Sequence, residues 1–146
     1  MNSSNRFVGA WHLISWETRS LEGEVSYPVG HDTVGYIIYS ATGYMSVAIM
    51  FAQRQFFAAG DLLAGSQEER AAAAATYVSY AGRYETLEDK VVHYIEVSLF
   101  PNWTGSRQER FYEFTDNRLI LSTAPILAGG VERRHYLVWE QAATVN

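Results

Sequence analysis

Val34 to Met50 reads VGYIIYSATGYMSVAIM. Two runs of large apolar and aromatic residues are joined by Ser40-Ala41-Thr42-Gly43, and no polar helical face can be drawn through either run. The run lengths, the β-branched and aromatic content and the central turn residues mark two strands of a hairpin. Gly43 is suited to a left-handed or bulge position at the turn.

The same grammar recurs outward in both directions. Gly9–Thr18 reads as a strand towards the N-terminus. Towards the C-terminus, strands are expected at Arg83–Leu87, Val91–Ser98, Arg107–Thr115, Arg118–Thr123 and Val131–Glu140. Asp116-Asn117 and Gly129-Gly130 supply turn residues between them. The exception is Ser66-Gln67-Glu68-Glu69, a capping-box sequence followed by the alanine run Ala71–Ala75; it predicts one helix over Gln67–Ala81, ending at Gly82. The irregular apolar stretch Phe51–Gly65 before it reads as a loop or a short second helix. About eight strands with mostly short connections and one inserted helix predict an all-β chain, an up-and-down antiparallel barrel or a sandwich. No linker or repeat divides residues 1–146, which read as a single domain.

Composition excludes several functions. The chain has 146 residues, 48% hydrophobic and 18% charged, enough for one core without staples. It has no cysteine, hence no disulfide, thiolate metal site or cysteine nucleophile. A net charge of −5 argues against a nucleic-acid partner. Met1–Arg6 is polar and no signal-like apolar region follows, so a cytoplasmic location without membrane association is expected. Dinucleotide, nucleotide, zincin and serine-hydrolase motifs are missing. His12, His31, His93 and His135 lie on separate elements without ligand spacing, so neither metal nor cofactor is assigned.

Strand alternation selects an inward polar set. In Arg107–Phe114 the face Arg107, Glu109, Phe111, Glu113 is a solvent face, which sends Gln108, Arg110, Tyr112 and Phe114 inward. Glu96 and Ser98 mark the outer face of their strand and send Val91, His93, Ile95 and Val97 inward. In the last strand Arg133, His135, Leu137 and Trp139 form the inner row. Gly9–Thr18 is apolar on both sides, with Trp11 and Leu13 on one and Ile14 and Trp16 on the other; the helix is the candidate cover for its outer face. Glu17, in phase with Trp11, Leu13 and Ser15, is then the internal carboxylate that an inward Arg110 requires. Two readings stay open: an Arg110–Glu17 pair plugging a filled barrel, or a pocket in which these groups anchor the polar end of an apolar ligand. With 4 Trp, 10 Tyr and 7 Phe, the chain has aromatic walls to spare. The candidate ligand-binding residues are Tyr39, Tyr44, Tyr84, His93, Trp103, Gln108, Arg110, Tyr112 and His135.

These motifs resemble a known family. Gly9-Ala10-Trp11 looks like the G-x-W that opens lipocalin barrels. With Gly9–Ser15, Gly35–Tyr39, Gly43–Val47, Tyr77–Tyr84 around Gly82, His93, Pro101–Gly105, Gln108 and Arg110, it is similar to the small bacterial and fungal lipocalin-like domain family, of the calycin type. Two departures stand out: Gln141 follows Trp139-Glu140 where the family tends to carry a basic residue, and the disulfide of secreted lipocalins is impossible here. The resemblance implies a closed eight-stranded barrel around a central cavity. It implies either a binder of a small lipophilic or aromatic molecule or a cofactor-free cyclase, isomerase or lyase; His93, Glu17 and Arg110 would then be its catalytic groups. A homodimer is a further open partner.

Overall fold

The computed structural model describes residues 4–145, so Met1–Ser3 of the polar N-terminal segment lie outside it. After one helical turn, α1 (Ser4–Phe7), the chain forms β1 (Gly9–Ser20), β2 (Val25–Ser26), β3 (Thr33–Tyr39) and β4 (Tyr44–Phe51). Helix α2 (Gln67–Ala75) precedes β5 (Tyr77–Thr86) and β6 (Lys90–Ser98). A 3-10 turn at Pro101–Trp103 leads to β7 (Arg107–Thr115), β8 (Arg118–Ser122), β9 (Ile126–Ala128) and β10 (Val131–Gln141). The sheet runs β1-β3-β4-β5-β6-β7-β8-β10, and β10 pairs back onto β1 from Trp11↔Gln141 to Ser20↔Arg133. All pairings are antiparallel. The result is a closed eight-strand barrel, with β2 and β9 as short outliers at one rim.

Local chemistry explains the turns. Gly43 at φ 96° and Asp116 at φ 52° carry two of the tight hairpins, and Gly129-Gly130, both at positive φ, carry a third. The capping box at Ser66 forms as the sequence predicts: Ser66 Oγ accepts from the Glu69 backbone N–H and the Glu69 carboxylate accepts from the Ser66 N–H.

Helix α2 stops at Ala75, six residues before the end expected from Gly82. Thr76 Oγ1 donates to the Ala72 carbonyl at 2.8 Å and the Arg54 guanidinium donates to the Ala73 carbonyl at 3.0 Å, satisfying groups the next turn would have used. Tyr77–Ala81 instead pairs with β4, from Met50↔Tyr77 to Ser46↔Ala81. Gly82 is therefore a mid-strand residue and not a helix stop. A Cβ there would sit 1.9 Å from the Tyr94 carbonyl oxygen, so the sheet needs a glycine at this bulge. That bulge also turns Val97 outward, to 68% exposure, against the inward place its alternation predicted. The stretch between β4 and α2 is loop, with no second helix.

The double-sided look of β1 has a different cause from the one expected. Its register against β10 jumps between Leu13↔Trp139 and Ser15↔Val138, so Ile14 is an extra, bulged residue. Trp11 and Leu13 point inward before it; Thr18, 1% exposed, and the partly buried Trp16 pack inward after it. No outer cover is needed, and α2, which buries no residue, supplies none.

One end of the barrel is closed by α1. Phe7 is fully buried and meets the rings of Tyr39, Tyr112 and Phe114 edge-on, with centroids 5.2, 5.0 and 4.9 Å away. Trp11 Nε1–H donates to the Phe7 carbonyl at 2.8 Å, tying the turn to β1. This aromatic stopper fills its end of the interior, and the cavity lies beyond it.

Candidate functional site

The cavity holds about 250 Å³ and reaches the surface beside β9, where Leu127 is exposed. Its wall is mostly apolar, from Ile37, Val47, Ile49, Val78, Leu121 and Leu137 among others. Its volume lies just under the roughly 300–1,000 Å³ of small-molecule pockets, room for a ring system of modest size.

The floor is a hydrogen-bonded triad. His93, 1% exposed, sits between two tyrosines: Nε2 lies 2.7 Å from the Tyr39 hydroxyl and Nδ1 lies 2.7 Å from the Tyr80 hydroxyl. A neutral ring donates through one nitrogen and accepts at the other, so both contacts are satisfied without charge. Burial, helped by the nearby Arg110 cation, lowers the His93 pKa to about 3. Burial pushes Tyr39 well up and Tyr80 up, the latter opposed by Arg110. The triad is thus neutral across the physiological range.

Above it, His135 is set by Trp16. The indole Nε1–H donates to His135 Nδ1 at 3.0 Å, which places the imidazole proton on Nε2. That Nε2 is buried with no hydrogen-bond partner among the described residues, and so is Trp139 Nε1; both residues line the cavity, but neither of these atoms is open to it. Burial first, then Arg110 and Arg133, lowers the His135 pKa, which keeps the ring neutral and Nε2 a donor. Arg110 also lines the cavity, half-buried, its Nη1 donating to the Glu109 carbonyl at 3.0 Å.

Arg110 has no carboxylate within 4.0 Å among the described residues. Glu17 does not supply one: the bulge at Ile14 turns it outward, where it pairs with Arg19 at 2.8 Å. The expected internal Arg110–Glu17 plug is therefore absent, because alternation counted through a bulge arrives one residue out of phase.

Of the remaining candidates, the structure brings His93, Trp103, Arg110 and His135 to the cavity wall. Tyr39 stands one layer behind, on His93. Tyr112 is spent on the closed end, its hydroxyl donating to the Leu87 and Glu88 carbonyls, and Tyr84 donates to the Ser40 carbonyl. Gln108 is held by Ser106 Oγ at 3.0 Å. Tyr44 is corrected outright: it lies on the outer face of β4, 55% exposed. Trp16, Tyr80 and Trp139 were not singled out as site residues. Tyr80 was hidden inside the overlong helix, although Tyr77, Ser79 and Ala81 alternate with Val78 and Tyr80 as a strand would. No group of three or more metal-ligating side chains occurs among the described residues, and no helix there is long and apolar enough to cross a membrane.

A closed antiparallel barrel of eight strands around an apolar chamber is the architecture of the calycin class. Within it, this chain belongs to the lipocalin-like domain family, whose model matches residues 8–142. It is also 36% identical over 90 residues to the 4'-hydroxy-3'-methoxypropiophenone carrier protein ppsC of Aspergillus oryzae. That alignment takes in 56% of this chain and 81% of the relative.

Proposed function

We propose that this protein binds and carries a small, largely apolar aromatic molecule in the barrel cavity, its polar end held by Arg110. The observation that carries the reading is an apolar chamber with one cation, Arg110, in its wall and no carboxylate within 4.0 Å of it among the described residues. The wall supplies affinity at roughly 25 cal/mol per Å² of apolar surface buried, and the guanidinium supplies orientation. A carbonyl or aryl oxygen is the complementary group. The likeness to a protein named as the carrier of an aryl ketone supports the same ligand class.

Acid–base catalysis has less to work with. Glu17 faces solvent, and His93 has both nitrogens engaged and a pKa near 3, far from the value a base needs at neutral pH. The test is direct, because Trp16, Trp103 and Trp139 all line the cavity. Titration with 4'-hydroxy-3'-methoxypropiophenone should quench tryptophan emission saturably, at one ligand per chain, with the ligand recovered unchanged. Absence of saturable quenching up to millimolar ligand overturns the carrier reading, and a converted ligand reinstates the enzyme.

A further inference from the structure

The cavity carries a charge that its own walls cannot neutralise. Its titratable neighbours come from five strands: Tyr39 on β3, Tyr80 on β5, His93 on β6, Arg110 on β7 and His135 on β10. The stretches of β1, β4, β8 and β9 that line it bring no titratable side chain, and among the described residues no Asp or Glu lines it. Arg110 is its one permanent charge, with no carboxylate within 4.0 Å among the described residues. The two tyrosines are held neutral by burial and cannot serve as its counter-ion. The two histidines are held neutral as well, partly by Arg110 itself. A cation in a low-dielectric chamber draws an anion or makes one.

We infer that the cavity takes its aromatic ligand as an anion: the O–H bond of an acidic aromatic hydroxyl breaks heterolytically, the proton passes to bulk water, and the aryl oxide is held opposite the Arg110 guanidinium. This deepens the carrier reading and rests on it. A plain phenol, with a pKa near 10, resists such ionisation. A ring with an acyl group para to the hydroxyl does so far more readily, because the carbonyl oxygen shares the charge. The site then discriminates between a free hydroxyl and its methyl ether, which differ little in shape and entirely in acidity.

Two probes test it: 4'-hydroxy-3'-methoxypropiophenone and its methyl ether, 3',4'-dimethoxypropiophenone. The absorption spectrum of the protein-bound phenol is followed against pH, beside the free phenol. The bound phenol is expected to show its aryl-oxide band at least one pH unit below the free one, equivalent to about tenfold tighter binding of the anion. The ether is expected to bind at least tenfold more weakly than the phenol. Arg110→Gln should return the spectral transition to the pH of the free phenol and abolish the preference for the phenol over the ether. A bound phenol that ionises at the same pH as the free one, or an ether that binds equally well, overturns the inference and leaves the carrier reading standing. Failure of both probes to bind overturns the two together.

Discussion

His93→Gln tests the neutral floor of the cavity through stability alone. In the folded chain His93 is fully buried between two hydroxyls and its pKa falls to about 3, against 6.5 when exposed. Below pH 6.5 the unfolded chain takes up a proton that the folded chain refuses, so stability falls as pH falls. The contribution is fully present above pH 6.5 and is lost progressively towards pH 3. The slope is about 1.4 kcal/mol per pH unit, so lowering the pH from 6.5 to 5 should cost about 2 kcal/mol from this one residue. Glutamine can bond both hydroxyls but cannot titrate. Urea unfolding by linear extrapolation at pH 7.5, 6.5, 5.5 and 5.0 would measure both proteins. The variant should start lower at pH 7.5, by about 1–3 kcal/mol for imperfect hydrogen bonds. It should then lose stability more slowly, by one proton's worth. His135 adds a slope of the same sign, but to both proteins, so it cancels in the difference. Parallel curves would refute the reasoning, because they would mean that His93 is protonated in the folded chain.

Phe7→Ala should lower stability by about 3–5 kcal/mol in urea or thermal unfolding, since it empties the space inside the ring of Tyr39, Tyr112 and Phe114. Arg110→Ala should change the stability of the ligand-free protein by about 1 kcal/mol or less, because no internal carboxylate is stranded. A loss of about 3–5 kcal/mol, the figure for breaking a buried pair, would show that a carboxylate meets it after all.

What could be read from the chain and what could not divides along regular alternation. β7 alternates without interruption, so the charges on Glu109 and Glu113 place Arg110 inside by counting alone. The hairpins around Gly43 and Asp116 were legible for a similar reason: the turn residues advertise a backbone geometry that few others adopt. β1 defeated the same counting. A bulge is a relation between two strands, and nothing in Leu13-Ile14-Ser15 announces it, so Glu17 came out on the wrong face. The end of α2 was hidden because Tyr77–Ala81 can be helix or strand by propensity, and its pairing with β4 decides. Phe7 was illegible for a different reason. An apolar pair, Phe7-Val8, behind a polar terminal segment has no periodicity, and the burial of Phe7 comes wholly from the barrel end it fills. The polar side of the cavity wall was half legible: His135 could be placed, but its tautomer depends on Trp16, a residue brought inward by the bulge.

The turn at Phe7 makes the barrel a cup and not a tube. With one end stoppered by aromatic rings, the guest we propose has the rim beside β9 both to enter and to leave by. Loading and unloading are then successive acts at the same doorway. A molecule handed from a source to a destination must wait while the doorway is free of the first and not yet facing the second. A through-channel would link the two stations continuously; a cup imposes an interval in which its contents belong to neither.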